Sequence, residues 1–408
     1  MECISPSRYR TITHAASLIR SRCLPRLNVI SSMIRHNRAM ARPHFITPPM
    51  SILLDAVRAI AALLVLGGHA VQVGIYTGPY PFGPTTQHYA VIVFFVLSGL
   101  VIAHSVRGGR YTLRDYAIAR AARIVPVAAF AVLFGSVIFY LLTSRGLWPQ
   151  PTAPVPDRLT MQSVVMPLLF LSESGDGISP VWNPPYWSLS YEVWFYTLFG
   201  AAAFLRGTRR VFWVALLAWI AGWRILLMMP IWLIGAALVA HGTRWEPKGT
   251  QAIALALFGV ILLSLSRLWA YDVQTAMAEW HAGFGYHARM SEYFVTDFIF
   301  GFGIAVLFIS ARPFAERFSR TFHRFEAPIR RAAGFSFSLY ILHWPMLSAL
   351  SALGIGAGES PLAFLALAGG IIGACALIAQ FTEYRSREVR HWLASHLLGA
   401  SAKPRAAA

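Results

Sequence analysis

The chain has 408 residues, 56% of them hydrophobic and 13% charged, with a mean hydropathy of +0.55. A soluble domain carries roughly 25% charged residues, so an ordinary water-soluble enzyme and an intrinsically disordered chain are both excluded. The formal charge of +18 raises nucleic-acid binding as a question, which the placement of the basic residues answers.

Residues 1–50 stand apart, with eight arginines, a single acid (Glu2) and no apolar run long enough for a signal peptide. A disordered basic tail, or a true start at Met50, is expected there, weighed against an organelle transit peptide. Residues 51–385 are expected to form one membrane domain. Apolar runs near 52–73, 89–106, 124–143, 186–205, 211–224, 226–241, 251–268, 293–311, 335–354 and 362–382 predict an all-α polytopic protein of about ten transmembrane helices. The fifth and sixth runs are short and divided by Gly222 and Arg224, so tilting or partial re-entry is expected there. An apolar patch over 164–171 is too short to span and is expected on the outer surface. Residues 386–408 are expected to be a short cytoplasmic tail, with no soluble domain after the last span.

With both termini cytoplasmic, 29 basic residues fall in inner segments, while Arg145, Arg158, Arg224, Arg267 and Arg289 fall in outer ones. That asymmetry is positive-inside signal. It absorbs the net charge, and nucleic acid drops out as a partner. All basic residues except Lys248 and Lys403 are arginine, which fits a GC-rich bacterial genome. Cys3, Cys23 and Cys375 are too widely spaced for a metal or redox motif, and no metal is expected.

Ionisable residues inside apolar runs are the candidates for chemistry. Arg58 and His69 lie eleven residues apart in the first span, close to one helix face and about 16 Å apart in rise. This spacing places a cation near the cytoplasmic surface and an imidazole near mid-membrane. A snorkelling arginine and a histidine bonded to a neighbouring helix satisfy the same spacing. Arg120 and Arg123 share a face at the inner mouth of the third span, with Arg107, Arg110 and Arg114 nearby. Clustered guanidiniums suit phosphate, and positive-inside anchoring is the plainer alternative. In Trp187-Ser188-Leu189-Ser190-Tyr191-Glu192, the carboxylate sits about a turn inside an apolar span. Ser338-Leu339-Tyr340-Ile341-Leu342-His343 puts a second histidine inside the ninth span. Asp297, near the outer end of the eighth, is expected to be exposed.

These segments, together with Phe94-Phe95-Val96-Leu97-Ser98-Gly99, occur in the order seen in the acyltransferase-3 family, and residues 50–385 resemble that family throughout. The resemblance implies ten spans and transfer of an acyl group, acetyl by expectation, from cytoplasmic acyl-CoA. The acceptor it implies is a hydroxyl of an extracytoplasmic or lipid-linked carbohydrate. Acyl-CoA is then a co-substrate, with no bound cofactor. Arg120 and Arg123 are expected to hold its phosphates, with Arg58 assisting. His69 is expected to be the general base, with an acyl-imidazole as the variant mechanism, and Glu192 to orient His69 or share its charge. His343, Ser98, Trp187, Ser188 and Tyr340 are expected to line the cavity. The expected location is the bacterial inner membrane, as a multi-pass protein. The rival class is a transporter or flippase that uses the same buried charges for passage.

Overall fold

The structure, a computed structural model, describes residues 44–83, 85–109, 111–149, 158–175, 177–285 and 287–398. The basic tail over 1–43, Arg110 and the chain after residue 398 lie outside the described residues. Among those described, the secondary structure is helical apart from one isolated bridge between Tyr76 and Gly358. The all-α expectation holds.

In chain order the helices are α1 Pro48–Gln72, α2 Thr86–Val106, α3 Leu113–Thr143, α4 Met161–Leu168, α5 Trp187–Phe204 and α6 Gly207–Ala221. There follow α7 Trp223–His241, α8 Thr250–Leu268, α9 Ala270–Ala282, α10 Phe294–Arg317, α11 Ser319–Arg324 and α12 Glu326–Gly334. Last come α13 Ser336–Ala352, α14 Pro361–Phe381 and α15 Ser386–Leu398. Every expected span is therefore a helix. Seven of them (α1, α2, α3, α7, α8, α10 and α14) are long and apolar enough to cross a membrane. α6 has 15 residues and α13 has 17, while α5 is diluted by Ser188, Ser190, Tyr191, Glu192 and Tyr196. α5 and α13 hide their polarity inside the bundle, with 11 of 18 and 12 of 17 residues buried. Each carries a candidate residue, Glu192 on α5 and His343 on α13.

Contacts between loops show that the short helices still run from one end of the bundle to the other. At one end the turn after α1 meets the turn before α14, through Ala357 N–H to the Ile75 carbonyl at 2.7 Å. At that same end Arg267 donates to the Phe82 carbonyl at 2.7 Å. Arg224 donates to the carbonyls of Gly175 and of His287, and Ser174 to that of Ala221. At the opposite end Arg107 donates to the Val239 carbonyl at 3.3 Å, and the Gly200 backbone lies against Tyr116. Thus α5, α6 and α7 each connect the two ends. α6 and α7 are hinged on Gly222 alone, whose φ of 84° suits a residue without a Cβ. The expected re-entry between them is replaced by a one-residue turn.

Local sequence explains why the site helices sit where they do. α3 starts with a capping box: Thr112 accepts from Asp115 N–H, and Asp115 accepts from Thr112 N–H. α2 and α7 touch backbone to backbone. A Cβ on Gly99 would lie 2.0 Å from the Trp232 carbonyl oxygen, and one on Gly235 would lie 1.9 Å from that of Val96. In α13, Pro345 has no N–H for the Ile341 carbonyl four residues back. The buried Asn183 side chain supplies the missing donor at 2.9 Å, tying the loop before α5 to the middle of α13.

Two boundaries shift from those drawn on composition. α1 begins inside the expected tail, with Thr47 Oγ1 accepting from Met50 N–H at 3.4 Å and proline in the first turn. Residues Ser386–Leu398, expected as tail, form a helix packed against α3, and Arg390 lies 5.9 Å from the Tyr111 ring centre. The patch over 164–171 becomes the short α4, held by Tyr186 Oη donating to the Pro167 carbonyl at 2.9 Å. In the loop that follows, Glu173 is buried and faces Arg289 at 3.4 Å. Burial pushes its carboxyl above the ordinary range, while Arg289 and Arg224 pull it back.

Candidate active site

A cavity of about 90 Å³ lies between α1, α2, α3, α5 and α13. Arg58, Arg120 and Arg123 line it together with Glu192, Ser98, Ser188, Tyr196 and Tyr340. Three guanidiniums from two helices therefore face one space, as the shared helix face of Arg120 and Arg123 led us to expect. Arg58 is paired with Asp55 at 3.2 Å, and Asp55 also meets Arg330 of α12 at 2.8 Å. The Arg120 guanidinium lies 5.9 Å from the Tyr196 ring centre, a cation–π contact.

A directional chain of hydrogen bonds crosses this cavity. Trp232 N–H donates to Ser98 Oγ at 3.1 Å, and Tyr196 Oη donates to Glu192 at 2.5 Å. With both of those directions set, the 2.9 Å contact between Ser98 and Tyr196 runs from Ser98 to Tyr196. Glu192 is thus the terminal acceptor of a network. Its bond goes to Tyr196, whereas it was expected to reach His69. Ser188 Oγ and Tyr340 Oη form a short hydrogen bond at the cavity wall, and the Pro185 carbonyl, 3.2 Å from both hydroxyls, accepts the one proton that this bond does not use.

His69 and His343 lie outside the lining and form a pair. His69 Nδ1 and His343 Nε2 are 2.7 Å apart, and both side chains are buried. The rings are tilted by only 3° with centroids 5.0 Å apart. That separation matches the N···N distance plus the two ring radii, so the bond runs in a common plane and the rings are not stacked face to face. His343 Nδ1 lies 3.1 Å from the Leu339 carbonyl. A carbonyl only accepts, so His343 carries its proton on Nδ1 and presents a lone pair at Nε2. In the neutral pair His69 must then carry its proton on Nδ1, which leaves the Nε2 lone pair of His69 free to take a proton. Trp344 packs edge-on against His69, with ring centres 4.6 Å apart. Tyr340, with its ring centre 6.0 Å from that of His343, stands between the pair and the arginine cavity.

Depth also differs from the sequence reading. α1 spans residues 48–72, so Arg58 lies near its middle and His69 in its last turn. The apolar run in the sequence begins four residues later than the helix does, which placed both residues nearer the N-terminal end of the span than they are. Trp187 does not line the cavity but lies against His88, with ring centres 6.3 Å apart. Asp297, expected to be exposed, is fully buried and is 2.8 Å from His88 Nε2. The first turns of α2 and α10 meet face to face there, and burial of a carboxylate requires such a partner.

Glu383 was missed. Its carboxylate is buried just beyond α14 and accepts from Ser338 N–H and Ser338 Oγ, both at 3.1 Å. It is also within electrostatic reach of Arg123 and Arg58. The only signal in the sequence was an acid directly after the last apolar run, where a solvated helix end is the usual reading.

Residues 52–380 match the acyltransferase domain that defines the acyltransferase-3 family. The chain is 36% identical over 110 residues to "Protein 2 in picA locus" of Rhizobium radiobacter, covering 26% of this chain and 53% of that protein. It is 32% identical over 160 residues to the acyltransferase MdmB of Streptomyces mycarofaciens, covering 36% of this chain and 37% of that one. The alignments therefore span about half of the first relative and little more than a third of the second. No solved structure matches the chain. The domain match runs through every helix that borders the arginine cavity and carries both members of the histidine pair, and the chain belongs to the acyltransferase-3 family of membrane proteins.

Proposed function

We propose that this protein is an O-acyltransferase that moves an acyl group, acetyl in the simplest case, from cytoplasmic acyl-CoA to a carbohydrate hydroxyl. The acceptor is a cell-envelope or lipid-linked glycan, and the setting is the bacterial inner membrane. The observation that carries this reading is the conjunction of a three-arginine cavity with a histidine whose Nε2 is left to accept a proton.

Each part has a role in that chemistry. Arg120 and Arg123, with Arg58, hold the donor's phosphates by charge and by paired N–H groups. The pantetheine arm covers the rise of about 16 Å between the level of Arg58 and that of His69. His69 Nε2 takes the acceptor's hydroxyl proton as the oxygen attacks the thioester carbon. The C–S bond breaks, the C–O ester bond forms, and the proton returns to the CoA thiolate. His343 acts as a positioning residue: it fixes the His69 tautomer and shares the positive charge that develops.

The test uses vesicles with the cytoplasmic face outward, labelled acetyl-CoA and an endogenous glycan fraction. Label should appear in glycan as an alkali-labile ester. Saturable substrate uptake with no transfer from any acyl-CoA would favour a transporter.

A further inference from the structure

The arginine cavity ends at a pair of hydroxyls. On α13 its lining comprises Ser336, Phe337 and Tyr340, while His343, about one turn further along the helix, lies outside it. On α5 the lining begins at Ser188 and continues through Glu192 to Tyr196, residues four apart on one helix face. Ser188 and Tyr340 thus close the same end of the cavity, where they are bonded to each other. Tyr340 stands three residues before His343, about 4.5 Å of rise from the level of the histidine pair.

Among the described residues of the lining, every other hydroxyl has its proton committed. Ser98 donates to Tyr196 and Tyr196 to Glu192, while Ser336 donates to the Ala333 carbonyl at 2.8 Å. Ser188 and Tyr340 have two protons between them. One joins the pair, and the other points at the Pro185 carbonyl, 3.2 Å from both oxygens. That second bond is long for an O–H donor. A neutral carbonyl also competes poorly with an oxyanion, because hydrogen bonds to a charged acceptor are roughly twice as strong.

We propose that Tyr340 is the oxyanion donor of the transfer, backed by Ser188. This rests on the acyl-CoA reading above: with the phosphates at the arginines and the base at His69, the thioester carbon lies where the cavity meets the histidine pair. As the acceptor oxygen adds to that carbon, the C=O electron pair moves onto oxygen. The Tyr340 proton turns from the Pro185 carbonyl to this oxyanion. Ser188 donates to Tyr340 and so strengthens the phenol as a donor. The oxyanion then collapses, the C–S bond breaks, and Tyr340 keeps its proton throughout. A phenol suits the role better than an alkyl hydroxyl because it is the more acidic of the two.

The experiment compares wild type, Tyr340→Phe and Ser188→Ala. It measures turnover on the glycan fraction, the dissociation constant of acetyl-CoA, and the infrared carbonyl band of bound acetyl-CoA isotope-labelled at its carbonyl. Tyr340→Phe should lower kcat roughly 10²–10³-fold, the usual loss for one oxyanion donor, with donor affinity unchanged and the carbonyl band moved to higher frequency. Ser188→Ala keeps the phenol proton and should cost only about tenfold, the worth of one neutral hydrogen bond. Equal losses in the two variants would make the pair a tie between α5 and α13 and overturn the assignment. Undiminished kcat in Tyr340→Phe, or a loss matched by weaker donor binding, overturns it as well. If Tyr340→Phe does not fold, the wild-type band decides: a frequency above that of acetyl-CoA in water marks a carbonyl without a donor and overturns the assignment, and one at or below it supports it. No binding of acetyl-CoA and no transfer by wild type would defeat the donor reading itself, and this assignment with it.

Discussion

Two ring nitrogens decide what His69 can do. Nδ1 is committed to His343 and Nε2 is not, because the Leu339 carbonyl fixes the proton on the far side of His343. His343→Ala should therefore lower turnover while leaving donor affinity in place. His343→Gln should recover part of the loss, since its amide can accept from His69 and donate to Leu339. Equal damage from both variants would reduce His343 to packing. Acid should also inactivate the enzyme, because a proton on either imidazole removes the free lone pair or breaks the N–H···N bond. A rate that holds constant down to the pH at which the protein unfolds would count against this pair. At the donor end, Arg120→Ala with Arg123→Ala should weaken acyl-CoA binding, and raised salt should weaken it in wild type. Lysine replacements should restore only part, because the planar fork is lost. Donor affinity unmoved in the double alanine variant would leave these arginines as topology anchors. Arg58, Arg120, Arg123 and Glu192 were legible in the sequence because charge inside an apolar run has few innocent explanations. The His343 partnership was not, since it joins residues 274 positions apart. Nor was Glu383, whose place after the last span reads as a solvated end.

Helices α2 and α7 show what a motif leaves unsaid. The sequence presents Phe94–Gly99 as a pattern, whereas the structure shows why its last residue lacks a side chain: the α7 backbone occupies that space. Gly99→Ala should force the two helices apart and cost about 1–3 kcal/mol as overpacking. Gly369→Ala, where a Cβ meets nothing within 4 Å, is the matched control and should be neutral. Thermal melts in detergent would compare the two, and equal melting temperatures would show that α2 and α7 yield easily. Asn183→Ala should cost about 1–3 kcal/mol, because it strands the Ile341 carbonyl that Pro345 leaves open. Helix existence was legible from apolar periodicity at every expected span. Helix ends were not, because caps such as Thr47 and Thr112 lie in polar sequence outside the apolar runs. The depth assigned to Arg58 and His69 went wrong for that reason.

At the scale of the whole molecule, the arginine cavity is lined by Arg58 near the middle of α1, and His69 sits in the last turn of that helix. Every loop contact described above joins segments assigned to the same side by arginine counting. Reporter fusions at Gly108 and after residue 398 should therefore report cytoplasm, and a fusion at residue 151 the outside. Gly108 and residue 151 on one side would break the ten-helix alternation. In the proposed function the donor binds at the arginines and the histidine pair meets the acceptor. The most direct measurement is transfer of a labelled acetyl group from acetyl-CoA to glycan by wild type and His69→Gln in matched amounts, with acetyl-CoA binding measured in parallel. Glutamine hydrogen-bonds but does not take up a proton at neutral pH, so turnover should fall roughly 10²–10⁴-fold while donor binding is unchanged. A fully active His69→Gln protein would contradict the account and move the proton acceptor to Glu192.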